Sequence, residues 1–500
     1  MRFALYLAIL IALMPLVFSR PFFGLCVYYV VSLLQPKYLC WRPDLQDALL
    51  VGVPLVVGAV AIGARRRELV PEWDLYSGRL LSLRTRIVSS ALIQPRWGIL
   101  LLGLLIAYVA VTRTMAPFPL SHTSYQFSGL CKVLLVAAMI TGLVTTPRQF
   151  RALFLVIAMA TSFWAIKGGL KVMMIGPHQV YGRTYDNNLF ALTSVMTLPM
   201  VFYFGLTVKS VRWRAFLLIC AALICLGIIG SRSRAGFVAF GVVLMCMAWS
   251  SKYRLRALIA VLLVATVTTF MSGTEILDRL DSIFAYSEDQ SARSRFFTWL
   301  FAWQLFLDNP LFGVGFGNYE IAKIALGGGN KSAHNIFLQN LAELGAIGSL
   351  IWCAVVFGSM YSLQQLMRWS RRLPTDMRWV YNCARGLLLG LLAFCIHGFF
   401  HNESYIELMF VLVALTISLR LVAERQWHEM RLHAEWASAP GPVVSSTPDR
   451  EHVAASPPDE IAGQLQPPTA PEVSGEGPHR RPRSLGELAR FGARFRPSTG

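Results

Sequence analysis

The stretch GIIGSRSRAGFVAF, residues 227–240, decides how this chain is read. It starts in the last residues of one apolar run and ends in the first residues of another. Between them stand Arg232 and Arg234, one serine apart. Each flanking run, near 214–230 and 235–250, approaches the ~20 residues that carry a helix across a bilayer. Lipid offers backbone amides no partners, so such runs must be helical. The stretch is therefore a turn between two membrane helices, and its two full charges need an explanation.

Working outward, runs of the same kind recur from the N-terminus to residue 423. We count about thirteen candidate spans of near-membrane length, near 3–19, 21–35, 47–64, 97–112, 126–144, 150–168, 188–208, 214–230, 235–250, 255–272, 345–367, 383–401 and 404–423. The composition agrees. Of 500 residues, 55% are hydrophobic and only 15% charged, whereas a soluble chain of this length would fold as several domains with far more surface charge. The expected fold class is an all-α polytopic membrane protein. Nine cysteines lie scattered, mostly in apolar runs, without paired or metal-ligand spacing, and read as small core residues.

The net charge of +19 would suit a nucleic-acid partner, but its distribution points to a membrane. Basic residues gather in alternate connections: 19–21, 65–97, 146–151, 209–214, 251–256 and 368–379. The positive-inside rule makes those connections cytoplasmic. The other set, 36–46, 113–125, 169–187, the SRSR turn, 273–344 and the turn near 402, then faces outward. An odd span count leaves the C-terminus inside. The first run could also be read as a cleaved signal peptide, but Arg20-Pro21 makes a poor mature start and retention is expected. Beyond residue 435 the chain is rich in Pro, Ser, Gly and Glu, which predicts a disordered tail. Three regions follow: an N-terminal membrane region (1–125), a membrane core with the long outer loop 273–344 (126–423), and a cytoplasmic tail (424–500).

The outer face carries arginines that topology does not require: Arg232 and Arg234, Arg183 in YGRTYDNN, and Arg293 and Arg295 in SARSRFFTW. Helix-end arginines often snorkel to lipid headgroups. A cluster without matching carboxylates in the short turns suits an anionic ligand instead, and the guanidinium fork matches phosphate oxygens. In the long outer segment, Phe297, Leu300, Phe301, Leu305 and Phe306 recur at helical spacing and predict an amphipathic helix that stops at Asn309-Pro310. The GVGFG run that follows lacks a preceding strand and a following Lys-Ser or Lys-Thr, so it reads as a tight turn and not as a nucleotide loop. His334 and Asn335 stand at the start of the next apolar helix, with Ser332 placed to cap it and Glu343 further along. An imidazole there can take a proton near neutral pH. His397 and His401, at i and i+4 beside Glu403, have a spacing that can bind metal, but no third ligand or HExxH accompanies them.

Taken in order, SRSRAGF, RFFTWLFAWQLFLDNPLFGVGFGNYE and SAHNIFLQNLAELGAIG resemble the O-antigen ligase and polymerase superfamily of bacterial inner-membrane glycosyltransferases. The pattern is Ser-Arg-x-Gly, then Arg-xxx-Trp leading to a Gly-x-Gly turn, then His-Asn with Glu-x-Gly. It covers roughly residues 228–350. More narrowly, YDNNLFALTSVMTLPM and RPFFGLCVYYVVSLLQPKYLCW are similar to the O-glycosylation ligases that accompany exosortase systems. The resemblance implies a GT-C-like bundle working on the periplasmic face without metal or other cofactor, and with inversion at the sugar. The donor would be an oligosaccharide on a polyprenyl diphosphate in the lipid. The acceptor would be a hydroxyl of a protein Ser or Thr, of lipid A core, or of a glycan. By motif position Arg234, Arg295 and His334 would be catalytic. Arg232, Arg293 and Arg183 would help bind the diphosphate, and Ser233, Gly236, Trp299, Asn335 and Glu343 would support them. The residues alone leave open a repeat-unit polymerase, a lipid A-core ligase and, in a different class, a lipid-linked sugar transporter.

Overall fold

The computed structural model describes residues 2–40, 46–73, 80–176, 186–251, 254–255, 290–327, 329 and 331–438. These fall in one compact unit. The expected span at 255–272, the start of the outer segment at 273–289, Arg183 and the tail beyond 438 lie outside the described residues.

Every other expected span is a helix. They are α1 (Arg2–Ser19), α2 (Pro21–Tyr29, prolonged by a wide turn at Val30–Leu34), α3 (Asp47–Ile62), α4 (Trp97–Met115), α5 (Leu120–Leu143), α6 (Pro147–Ile175), α7 (Asn187–Gly205), α8 (Val211–Gly230) and α9 (Arg234–Trp249). Two shorter-range helices follow, α10 (Gln290–Asp308) and α11 (Tyr319–Ala325), and then α12 (Ile336–Ser370), α13 (Arg378–Gly398) and α14 (Glu407–Ser438). Eight helices among the described residues are long and apolar enough to cross a membrane, and α2, α3 and α9 are shorter apolar helices. The exception to helix is a hairpin in the basic connection, β1 (Ala64–Trp73) pairing antiparallel with β2 (Leu80–Ser90). The basic residues of that segment give no sign of a strand, whereas the alternation in SLRTRIVSS fits β2. All nine cysteines are free, Cys220 and Cys383 being buried.

The bundle is organised about α7, which packs against α6, α8, α9 and α13. Most of its side chains are buried, whereas α1 exposes much of its apolar surface. Helix starts are written locally. Thr146 and Gln149 form a capping box before α6, with Pro147 at its first position. Asp186 caps α7 by accepting from the Asn188 and Leu189 amides at 2.8 and 3.3 Å. Without a hydrophobic drive between helices in lipid, close association needs small residues at the crossings. Gly169 of α6 and Gly227 of α8 provide one: a Cβ at Gly169 would collide with the Leu223 carbonyl, and one at Gly227 with that of Ala165. A charge on α13 is buried in the bundle. Arg385 of α13 is buried with its guanidinium 4.8 Å from the Tyr203 ring centre, which supplies the attraction that lipid cannot.

Two ends of the bundle are distinct. At one, Phe150 packs on Trp379 with ring centres 5.8 Å apart, Arg151 lies over the same indole, and the Trp379 ring N–H donates to Gln426 at 3.2 Å. This end carries the basic connections. The other carries the starts of α7, α9, α12 and α14. Replacing Gly169 by Val should force α6 and α8 apart and cost roughly 1–3 kcal/mol. A thermal melt in detergent reads this directly, and an unmoved transition would mean the two backbones are not in contact.

Candidate functional site

At that second end two helices begin in the same unusual way. Arg232 has φ +53° and His334 has φ +50°, both in the left-handed region that side chains other than glycine seldom occupy. Each is followed at once by a capping residue. Ser233 accepts from the Gly236 amide at 3.1 Å and opens α9, while Asn335 accepts from the Phe337 and Leu338 amides at 2.9 and 3.1 Å and opens α12. The cap of α12 is thus Asn335 and not Ser332, whose hydroxyl instead donates to Glu320. Such backbone costs about 1–3 kcal/mol per residue and persists where the surroundings fix it.

The surroundings are visible. The Ser233 hydroxyl donates to Asn188 Oδ1 at 2.7 Å, and Asn187 donates to the Ser231 carbonyl at 3.2 Å. These bonds tie the SRSR turn to the start of α7. Gly236 lets α9 lie against α7, because a Cβ there would come within 2.6 Å of the Ala191 Cβ. Arg232 and Arg234 are half-buried on either side of the cap, each with an interaction partner of its own.

Arg295 and His334 come together through α10. One turn beyond Arg295, the buried Thr298 hydroxyl donates to the Arg295 carbonyl at 2.7 Å and approaches that of Ala333, next to His334, at 3.3 Å. The Tyr319 hydroxyl donates to the Thr298 carbonyl at 3.0 Å. Trp299 packs edge-on to Phe399, ring centres 5.6 Å apart, and Phe399 packs against Phe337 of α12. The Arg-xxx-Trp spacing therefore sets an indole anchor one turn after the guanidinium. The face that α10 buries is Thr298, Ala302 and Leu305, while Phe297 and Leu300 of the apolar stripe are exposed. Arg293 lies in the first turns of α10, and its side chain is outside the described residues.

The glycine run is a wedge. After α10 stops at Asp308, the turn 310–317 presses on α12 where Gly345, at φ +63°, breaks the helix. The broken ladder is taken up across the gap. Ala346 N–H donates to the Pro310 carbonyl at 2.8 Å, Val314 and Gly315 amides donate to the Ala342 and Glu343 carbonyls at 2.8 and 2.9 Å, and the Tyr108 hydroxyl donates to Leu344 at 2.7 Å. Glu343, buried, accepts from the Gly317 amide at 3.1 Å and from Gln339 at 3.0 Å. Its place is structural: it clamps the turn onto α12.

The electrostatics of this end follow from burial. Desolvation holds the His334 imidazole below its ordinary value, and the Arg295 guanidinium pushes the same way. Asp186 and Glu320 oppose them, while Lys323 adds to the depression. The balance of these groups favours the neutral form of the His334 imidazole. The buried Lys323 ammonium, itself pushed down by burial, donates to the Lys331 carbonyl at 2.9 Å. Near the same end, a cavity is lined by Trp164, Leu189, Thr193, Ser194 and Glu407, and the Ser32 hydroxyl donates to Glu407 at 2.8 and 2.6 Å. Among the described residues no three His, Cys, Asp or Glu side chains come together as a metal-holding group.

Sequence reading did not single out Asp186, Asn188 or Lys323. The YDNN run contained the first two, but nothing in its spacing told that a cap on α7 would face a histidine some 150 residues away. The whole is a polytopic helical membrane protein with cationic and imidazole side chains at one end of its bundle. Within it, residues 219–353 match the family described as O-antigen ligase, and residues 88–208 match a family of unknown function. No curated protein matches the chain.

Removing the Glu343 carboxylate in Glu343→Ala should leave the Gly317 amide unsatisfied at a cost of about 1–3 kcal/mol. Hydrogen exchange of residues 313–319 should accelerate, and Glu343→Gln, which keeps an accepting oxygen, should restore most of the protection.

Proposed function

We propose that this protein is a membrane glycan ligase that moves an oligosaccharide from a polyprenyl diphosphate to an acceptor hydroxyl. What carries the reading is the pairing of Arg295 with a neutral His334, lying in a segment that matches the O-antigen ligase family. Arg234 at the start of α9, tied to α7 by Ser233 and Asn188, supports it.

In this reading the acceptor hydroxyl attacks the anomeric carbon from the face opposite the diphosphate. The new C–O bond forms as the bond to phosphate breaks, so the centre inverts. The departing diphosphate keeps the electron pair, and Arg234 and Arg295, with Arg232, Arg293 and Arg183 in support, stabilise the charge it gains. The starts of α7, α9 and α12 add their positive dipole ends. His334 takes the hydroxyl proton. The guanidinium groups do the work a metal would otherwise do on the phosphates, so the reaction is assigned as metal-independent. The diphosphate linkage is already activated, and no energy coupling is required. Alternation of the basic connections supports a periplasmic site in the bacterial inner membrane, and resemblance to O-glycosylation ligases favours a protein Ser or Thr as acceptor.

The test is transfer by purified protein from a synthetic polyprenyl-diphosphate oligosaccharide in the presence of EDTA. Ser/Thr peptide, lipid A core and glycan are offered in turn. Wild type should release polyprenyl diphosphate, and Arg234→Ala, Arg295→Ala and His334→Gly should each lose roughly 10²–10⁴ in rate. Glycine suits the left-handed backbone at 334, so that variant removes the imidazole without adding strain. Donor left intact with all three acceptors would overturn the reading and favour transport of the lipid-linked sugar.

The pH dependence has a definite sign. The base must be neutral, so kcat/KM is present above its pKa and lost as pH falls through it. Burial and Arg295 place that acid limb below the ordinary histidine value of ~6.5. Asp186→Asn keeps a cap on α7 and removes a charge that raises His334, so it should move the limb further down. A limb that stays put would sever Asp186 from the site.

A further inference from the structure

His334 opens α12 from a left-handed backbone, φ +50°, and such a conformation persists only where the chain around it is held. The three residues that lead into it are each gripped, and each by a different side chain. The Lys323 ammonium donates to the Lys331 carbonyl at 2.9 Å. The Ser332 hydroxyl donates to Glu320, and the Thr298 hydroxyl reaches the Ala333 carbonyl at 3.3 Å. Two of these three grips come from α11, a helix of seven residues that the mechanism above does not use. α11 is itself fastened on both sides. Tyr319 at its start donates to the Thr298 carbonyl of α10 at 3.0 Å. Asn318, just before it, donates its side-chain amide at 3.1 Å to the Val314 carbonyl, in the turn that presses on the break in α12.

Lys323 is the costly member of this set. It is 4% exposed, and its ammonium has the Lys331 carbonyl and the rings of Phe301 and Tyr319, whose centres lie 5.9 and 6.0 Å away. Taking an ammonium out of water costs several kcal/mol by order of magnitude, and an apolar side chain of similar volume would fill the space without that cost. A lysine adds two things that filling does not. It places a donor on the carbonyl three residues before His334, and a positive charge that bears on the imidazole.

We propose that α11 is a clamp on the entry to α12, with Lys323 and Glu320 as positioning residues that hold the His334 imidazole in place to accept the proton of the acceptor hydroxyl. This rests on the glycan-transfer reading. Neither residue touches substrate; both act through residues 331 and 332. With the clamp loosened, the entry leaves its left-handed conformation and the imidazole with it. Substrates bind as before, and proton removal slows.

The experiment uses the full chain. Lys323→Met keeps the length of the side chain and removes its donor and charge. It should lower kcat roughly 10–100-fold while acceptor KM stays within about two-fold. Exchange of the Phe337, Leu338 and Gln339 amides, which Asn335 holds, should quicken about 10-fold. The acid limb of kcat/KM should move to higher pH, because a cation that holds the imidazole below its ordinary value has gone. The other groups that bear on His334 are Asp186 before α7, Arg295 of α10, Glu320 of α11 and His401 after α13, and the variant leaves each of them in place. A kcat within about three-fold of wild type, a fall in kcat matched by a rise in KM, or a limb that stays put would overturn the clamp. Should that variant fail to fold, Ser332→Ala decides, since it removes only the Glu320 bond at a half-buried position. It should lower kcat about 10-fold and quicken the same three amides, and wild-type values of both would sink the inference. Wild-type protein that consumes no donor brings down the transferase reading, and the clamp's role with it. An active wild type matched by both variants brings down the clamp alone.

Discussion

A helix broken inside a membrane bundle leaves backbone donors and acceptors that must find partners in protein, because hydrocarbon supplies none. At Gly345 the structure meets that demand with the turn 310–317 and with Tyr108. Much else is positioned by the same contact. The turn fixes where α10 ends and α11 begins, and hence where Tyr319 reaches Thr298 and where Thr298 meets the residue before His334. Glu343 belongs to this contact. Its carboxylate holds the turn from the helix side.

The second organising feature is the repeated start of α9 and α12. In each, a left-handed residue bearing a cationic or titratable side chain precedes a polar cap. The geometry bends the chain sharply so that the side chain before the cap and the helix amides after it face the same end. Capping by Ser233 and Asn335 satisfies amides in the first turn without cancelling the dipole, so these ends stay electropositive. Strain at Arg232 and His334 is the accompanying cost, and the bonds to Asn188, Ser231 and Ala333 hold it in place.

Hydropathy alone located the helices, because a bilayer imposes length and apolarity on each span separately and leaves little for context to change. Every expected span within the described residues is a helix, with ends that shift where context acts. α12 begins at Ile336, directly after His334 and Asn335 as their place before an apolar run predicts, and continues past the kink at Gly345 into the run of membrane-spanning length. The hairpin at 64–90 is hidden by its charges, which suit a basic connection equally well, and only the alternation within it points to strands. Part of the apolar stripe of α10 points away from the rest of the protein, Phe297 and Leu300 being exposed while Leu305 is buried. Its covered side is set by Thr298, Ala302 and Leu305, small enough to lie close to their neighbours, and a stripe of large residues cannot be told from a surface facing lipid.

The sequence by itself determined the class of the protein, the order of its helices and the residue types at one end of them. It also carried three motifs that resemble those of the O-antigen ligases, whose family model matches residues 219–353. Those features are local or compositional, and each can be read without knowing what lies next to it. Only the tertiary structure decided which side chains meet. It put Asp186 near His334, set Glu343 against the Gly317 amide, and buried His397 and His401 as a pair whose ring nitrogens have no partner among the described residues. The physical reason is that burial and through-space charge depend on helices far apart in the chain, packed about α7. No spacing along the chain encodes them.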